Sequence, residues 1–176
     1  MPIFASAEDL AISKLFAQKR VDGTVVISSL KSGQTLIHND TRASQRFSPA
    51  STFKVMNTLI AVEEKAIAGK DDVFKWDGHV DELPDWNNDQ TLASAFKVSC
   101  VWCYQELARR VGAEKYRTYL KQCNYGELQS HIETTMFWLD GSLQISALEQ
   151  VNFLKDVIQH RLPFNKAAYE TLRQIV

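Results

Sequence analysis

Between Phe53 and Glu63 the chain runs Lys-Val-Met-Asn-Thr-Leu-Ile-Ala-Val, and Val55, Met56, Leu59, Ile60 and Val62 leave hardly a polar side to a helix built there. Such a helix belongs in the centre of a fold, with the other elements laid over it. Its entry is equally specific. Ser48 can cap the helix, Pro49 suits its first position, and Ser51 then falls in the first turn, where free N–H groups and the macrodipole favour developing negative charge. Residues three apart share a face, so Lys54 can reach the Ser51 hydroxyl. A lysine on a buried helix is desolvated, which lowers its pKa and lets it accept a proton near neutral pH. Ser51-Thr52-Phe53-Lys54 thus reads as a nucleophile with its own base.

The spacing alone is weak, because Ser28…Lys31 and Ser94…Lys97 share it. Ser28 lies in a predicted strand, where residues three apart point to opposite faces, and Ser94 has no Ser-Pro helix start before it. On the tetrapeptide and its helix two readings stay open: a catalytic serine–lysine pair, or a plain N-terminal helix serine beside a snorkelling lysine.

A chain of 176 residues is long enough for one domain with a sizeable core. Its formal charge of −1 carries no basic excess, which argues against a nucleic-acid or anionic-membrane partner. Apolar stretches are too short and interrupted to span a bilayer. Ala5-Ser6-Ala7 resembles the end of a signal-peptide cleavage site, so the expected location is periplasmic, with the leader removed and residues 1–20 holding its remnant and a first helix. Three cysteines, Cys100, Cys103 and Cys123, leave at least one unpaired. Cys100-Val101-Trp102-Cys103 has redox-motif spacing without the βαβ setting, and each thiol reads as a small buried hydrophobe. The scattered His38, His79, His131 and His160 offer no zinc-type pair.

A helix is expected from Ser6 to Gln18, with Ser6 and Asp9 in capping-box positions. Thr24–Leu30 and Thr35–His38 read as a hairpin turning at Lys31-Ser32-Gly33-Gln34. Gly69 offers a stop for the central helix, and residues 70–90 read as a surface loop. Helices follow at 92–96, 101–111 and 113–122. Ser146…Glu149 forms a capping box opening a helix that Pro163 ends, and Asn165 caps a final one. No strand is expected after the hairpin, which is marginal by itself.

In that order the elements resemble the class D serine β-lactamases, the oxacillinase family, from about Val21 to Val176. Phe47-Ser48-Pro49-Ala50-Ser51-Thr52-Phe53-Lys54 is similar to the family's nucleophile helix, and Pro84-Asp85-Trp86-Asn87 falls where it has a similar loop. Lys97-Val98-Ser99-Cys100-Val101 resembles its Ser-x-Val element, and Tyr125-Gly126 begins its Tyr-Gly-Asn box. Phe137-Trp138-Leu139 with Gly141-Ser142-Leu143-Gln144-Ile145-Ser146 resembles the Ω-loop region and the helix entry after it. The resemblance implies an α+β, β-lactamase/transpeptidase-like fold: a mostly helical domain over residues 21–176, plus the hairpin.

It also implies roles. Ser51 attacks a β-lactam carbonyl, and its backbone N–H supplies half of an oxyanion hole. Lys54 carries an N-carboxy group derived from carbon dioxide as general base, with no metal and no other cofactor. Ser99 relays a proton to the departing ring nitrogen. Trp138 holds the carbamate, Val101 keeps water away, and Tyr125 and Leu139 complete the pocket. Taken singly, Trp138 reads as core and Ser99 as a cap for the helix beginning at Cys100 or Val101. Asp81, Glu82, Asp85 and Asp89 read as a solvated loop, not a carboxylate pair.

Two departures stand out. Glu127 replaces the box asparagine and changes the charge of its loop. The family's Lys-Thr-Gly-type strand, which supplies the second oxyanion donor, does not occur in the sequence. The expectation is a carboxy-terminally truncated enzyme of impaired activity, served by a complementary C-terminal fragment or a homo-oligomer. Alternative readings are a β-lactam sensor or penicillin-binding domain that acylates without turnover, and a non-catalytic fragment.

Overall fold

The computed structural model describes residues 9–176. Ala5-Ser6-Ala7 and the Ser6 half of the expected capping box lie outside them. α1 (Leu10–Lys19) begins at Asp9, whose Oδ1 accepts from the N–H groups of Ala11 and Ile12 at 2.9 and 3.0 Å, so this aspartate is the cap. The helix buries none of its residues and leans on the hairpin, with the Phe16 ring 4.2 Å from His38.

The hairpin comprises β1 (Val25–Ser28) and β2 (Thr35–His38), paired antiparallel from Val25 against His38 to Ser28 against Thr35. Gly33, at φ +74, makes the positive-φ turn between them. α2 (Asp40–Ser44), capped by Asn39, leads to β3 (Arg46–Phe47).

Further strands do exist, against expectation. β3 pairs with β7 (Leu143–Ser146), which pairs in turn with β6 (Glu127–Leu128), giving a three-stranded sheet in the order β3-β7-β6. Leu143, Ile145 and Ser146 are buried while Gln144 is exposed, a near-alternation hidden by reading these residues as the approach to the next helix. A small antiparallel pair, β4 (Val73–Phe74) with β5 (Gln90–Thr91), closes the neck of the 70–90 loop, which also holds a 3₁₀ turn at Pro84–Trp86.

The central helix divides in two. A 3₁₀ turn over Ala50–Phe53 runs into α3 (Lys54–Glu63), where Met56, Leu59, Ile60 and Ala61 are fully buried. Burying each larger side chain is worth about 1.5–3 kcal/mol, so this helix anchors the core. α3 stops at Glu63, well before Gly69. Lys65 takes φ +57, and the Ala66 N–H closes on the Ala61 carbonyl at 2.8 Å, so a left-handed lysine ends the helix where glycine was expected.

α4 (Leu92–Lys97), α5 (Val101–Val111) and α6 (Ala113–Gln122) follow. Then come α7 (Ala147–Ile158), opened by the Ser146/Glu149 capping box, and α8 (Lys166–Ile175), capped by Asn165. α7 ends before Pro163, at His160 with φ +52. α5 and α8 both pack on α3, and Phe53 lies in an aromatic cluster with Tyr116, Tyr125, Phe137 and Trp138, at centroid distances of 5.2–6.0 Å.

Candidate active site

Ser51 lies in the 3₁₀ turn that feeds α3, exposed to solvent, while Phe53 two residues on is sunk in the core. The turn is entered by an unusual backbone. Ala50 takes φ +47, and its N–H donates to the Trp138 carbonyl at 3.0 Å, which ties the serine's turn to the 137–141 segment. An alanine in the left-handed region costs about 1–3 kcal/mol and persists only where its surroundings impose it, and such residues gather at functional sites. Ser48 makes no capping bond here, and the Thr52 hydroxyl and N–H both turn back to the Pro49 carbonyl, at 2.7 and 3.1 Å. No described backbone carbonyl takes the N–H of Ser51.

The first residue of α3, Lys54, is half-buried. Its Nζ donates to Ser99 Oγ at 2.6 Å and to the Phe96 carbonyl at 2.7 Å, and it sits 4.6 Å from the centroid of the Phe96 ring. Burial pulls the Lys54 pKa below its ordinary value. Among the described residues Nζ makes no hydrogen bond to Ser51 Oγ; its contacts are on the α4–α5 turn.

That turn is also strained. Ser99 takes φ +54, its N–H donating weakly to the Phe96 carbonyl at 3.3 Å. It does not cap α5, because Cys100 holds that position, and its hydroxyl is directed instead to Lys54. The 84–87 loop braces the turn. Trp86 Nε1 donates to the Val98 carbonyl and Trp102 Nε1 to the Trp86 carbonyl, each at 3.0 Å. The rival Ser94 is occupied locally, in a capping box with Thr91 and a 2.6 Å bond to Gln90.

Residues 23–176 match the penicillin-binding protein transpeptidase domain. The solved class D β-lactamase FUS-1 (OXA-85) of Fusobacterium nucleatum subsp. polymorphum superposes with a TM-score of 0.92 at 38% identity, over 96% of this chain and 70% of that one. The class D β-lactamase of Bacillus subtilis does so with a TM-score of 0.88 at 38% identity, over 99 and 71%. The chain belongs to the class D β-lactamase family. It is also 39% identical to the probable β-lactamase YbxI of Bacillus subtilis (strain 168), over 98% of this chain and 66% of that protein. With β-lactamase OXA-20 of Pseudomonas aeruginosa it shares 40% identity over 86 and 58%. The chain therefore spans less than two thirds of the length of these curated relatives.

Among the residues the class D resemblance singled out, Ser99 and Lys54 are brought into contact, and Trp138 is joined to the Ser51 turn through the Ala50 bond. The Trp138 indole stacks on Phe53, 5.7 Å between centroids, and is 4% exposed. Val101 and Leu139 are half-buried, at the start of α5 and after Trp138. Tyr125 lies deeper, 1% exposed, edge-on to Phe153 with its hydroxyl 3.0 Å from Gln150. A cavity of about 630 Å³ lined by Phe74, Trp102 and Arg110 includes none of Ser51, Lys54 or Ser99.

Two features escaped the sequence reading. Phe96 serves Lys54 through a backbone carbonyl, which carries no residue signature, and through a ring made relevant only by the fold. Glu127 has a partner, since Arg46 Nη1 donates to it at 2.5 Å while Nη2 and Nε hold Glu149 at 2.6 and 3.1 Å. The Arg46 guanidinium holds the Glu149 carboxyl well below the usual range, at about 2.

Proposed function

We propose that this chain reacts with β-lactams through an acyl-enzyme on Ser51 and, as a class D β-lactamase, hydrolyses it. The observation that carries the reading is the 2.6 Å bond from the desolvated Lys54 amine to Ser99, on the turn that faces the nucleophile's helix. In its neutral form Lys54 takes the Ser51 hydroxyl proton as Oγ adds to the strained carbonyl. The proton then has a route: Lys54 passes it to Ser99, and Ser99 gives its own to the ring nitrogen as the carbon–nitrogen bond breaks. The free Ser51 N–H at the start of the helix stabilises the oxyanion.

Two observations suit a carboxyl group on Lys54 Nζ. Burial lowers the amine's pKa, which raises the share of the neutral form that combines with carbon dioxide, and no described residue accepts the Trp138 indole N–H. Bound there, that carboxyl would supply a general base. Val101 and Leu139, both half-buried, would limit water near it, which matters because an exposed carbamate loses its hydrogen-bonded, dry surroundings.

The reading includes a periplasmic location, from Ala5-Ser6-Ala7, and residues 21–176 as a β-lactamase/transpeptidase-like domain of impaired activity. It also includes a complementary polypeptide beside the hairpin, since β1 and β2 pair with one another alone among the described strands.

Intact mass measurement after incubation with a penicillin tests the proposal. A covalent adduct mapped to Ser51, absent from Ser51→Ala, is expected. Bicarbonate-dependent turnover of a chromogenic cephalosporin would mark hydrolysis, and a lasting adduct without turnover would mark a sensor or penicillin-binding role instead. No adduct on the wild-type chain would sink the serine chemistry altogether.

A further inference from the structure

The thiols of Cys100 and Cys103 are left unused by the serine chemistry, and the fold gives them a specific geometry. Cys100 is the N-cap of α5, with extended backbone at φ −62 and ψ 105, and Cys103 is the third residue of the helix. A cap side chain folds back over that third residue, which is how Ser or Thr caps reach its N–H. Here the two side chains that meet are thiols, and their sulfurs lie 2.7 Å apart, inside ordinary sulfur–sulfur contact.

We propose that Cys100 and Cys103 are a modification site, closing to an intramolecular disulfide by exchange with a small disulfide of the glutathione class. The Cys100 thiolate attacks one sulfur of the donor, whose other sulfur leaves as a thiolate. Cys103 then gives up its proton and attacks the Cys100 sulfur, expelling the second donor thiolate. Two protein thiols are oxidised to one disulfide, and one donor disulfide is reduced to two thiols.

The order of attack follows from position. Cys100, at the N-cap of α5, faces the positive end of the helix as soon as its first turn forms, which favours its thiolate over that of Cys103 inside the helix. Both residues are fully buried, so the bond forms before α5 seats on the core, when three residues of separation already bring the thiols together. Folding then shields it. Cys123, at the end of α6, bonds to neither and stays a thiol.

The consequence reaches the serine site through the chain itself. Ser99, left-handed at φ +54, immediately precedes Cys100. Tying Cys100 to the first turn of α5 restrains the backbone that aims the Ser99 hydroxyl at Lys54. The inference stands on the thiol geometry and does not require the serine chemistry to be right.

Thiol counting tests it. The chain is unfolded in urea, refolded into a glutathione buffer rich in the oxidised form, then denatured and alkylated. Loss of two of the three thiols is expected, with the intact mass lower by two hydrogens and a peptide map linking Cys100 to Cys103. Cys123→Ser should then show no alkylatable thiol, and Cys103→Ser should hold Cys100 as a mixed disulfide with glutathione that reductant releases. In the wild-type chain, three alkylatable thiols, a retained glutathione adduct on Cys100, or a link to Cys123 would each overturn the proposal.

Discussion

Lys54 Nζ and Ser99 Oγ stand 2.6 Å apart although 45 residues separate them in the chain. Burial favours the neutral amine, while the hydroxyl oxygen and the Phe96 carbonyl favour the ammonium, so the Lys54 pKa is a balance. Removing one acceptor tips it. Ser99→Ala should lower the Lys54 pKa further, read from the Cε resonance in an NMR titration. The sign for stability follows. The folded chain binds this proton less tightly than the unfolded chain, so the site's contribution rises with pH until the ordinary value of 10.5 is passed, and the variant should start that rise at a lower pH. Loss of the proton relay should also slow acylation by about a hundred- to ten-thousandfold, seen in the rate of mass-adduct growth. An unmoved Cε titration would show that the bond does not govern the lysine.

How much of this was legible depended on whether the signal was local. The helices at 92–97, 101–111, 113–122 and 147–158 declared themselves because apolar periodicity and caps such as Ser146 lie within one segment. The three-stranded sheet did not, since β3 and β6 are two residues each and become strands only by pairing with β7. Spacing singled out Ser51 and Lys54, but the contact it implied between them is not made, and Nζ bonds to Ser99 and Phe96 instead. Ser99 is visible as a motif residue, but its left-handed backbone and its bond to Lys54 arise from packing α4 and α5 against α3. Glu127 remains a departure from the family box, and the partner the fold gives it, Arg46, shared with Glu149, could not be read from its own segment.

Arg46 contributes stability near neutral pH that acid removes. Glu149 has a folded pKa of about 2 against an ordinary 4.5, caused first by the hydrogen bond from Arg46. A depressed carboxylate contributes stability above the unfolded value and loses it as pH falls through the folded one, here between 4.5 and about 2. Arg46 is more than a third exposed, so screening limits the pair, and Arg46→Met should cost about 1 kcal/mol near neutral pH. Urea titrations of both proteins should show that gap narrowing across the acid window. A gap independent of pH would mean that Arg46 acts by packing alone.

At Gly126 the backbone requires glycine twice over. Its φ is +64, and an added Cβ would meet the Gln144 carbonyl oxygen at 2.1 Å, on the strand that β6 pairs with. Left-handed strain and overpacking are each worth about 1–3 kcal/mol, so Gly126→Ala should destabilise by about 3 kcal/mol. Asparagine separates the two causes, because it tolerates the left-handed region but still carries a Cβ. Gly126→Asn should remain nearly as unstable as the alanine variant in urea titration. A near-wild-type midpoint for it would assign the requirement to φ and not to the close approach.

Asn57 places an amide inside the core helix, fully buried, where its Oδ1 accepts from the Tyr116 hydroxyl at 2.7 Å and its Nδ2 finds no partner. Breaking the pair from either side leaves another buried polar group stranded, which costs about 1–3 kcal/mol, whereas removing both partners removes the debt along with the bond. Tyr116→Phe orphans Oδ1, and Asn57→Leu orphans the tyrosine hydroxyl. Each single variant should therefore unfold at lower urea. Combining them strands nothing, and the unpaired Nδ2 goes too, so the double variant should recover to within about 1 kcal/mol of wild type. A double-mutant cycle reads the coupling directly. Simple additivity of the two losses would show that the hydroxyl and amide do not depend on one another.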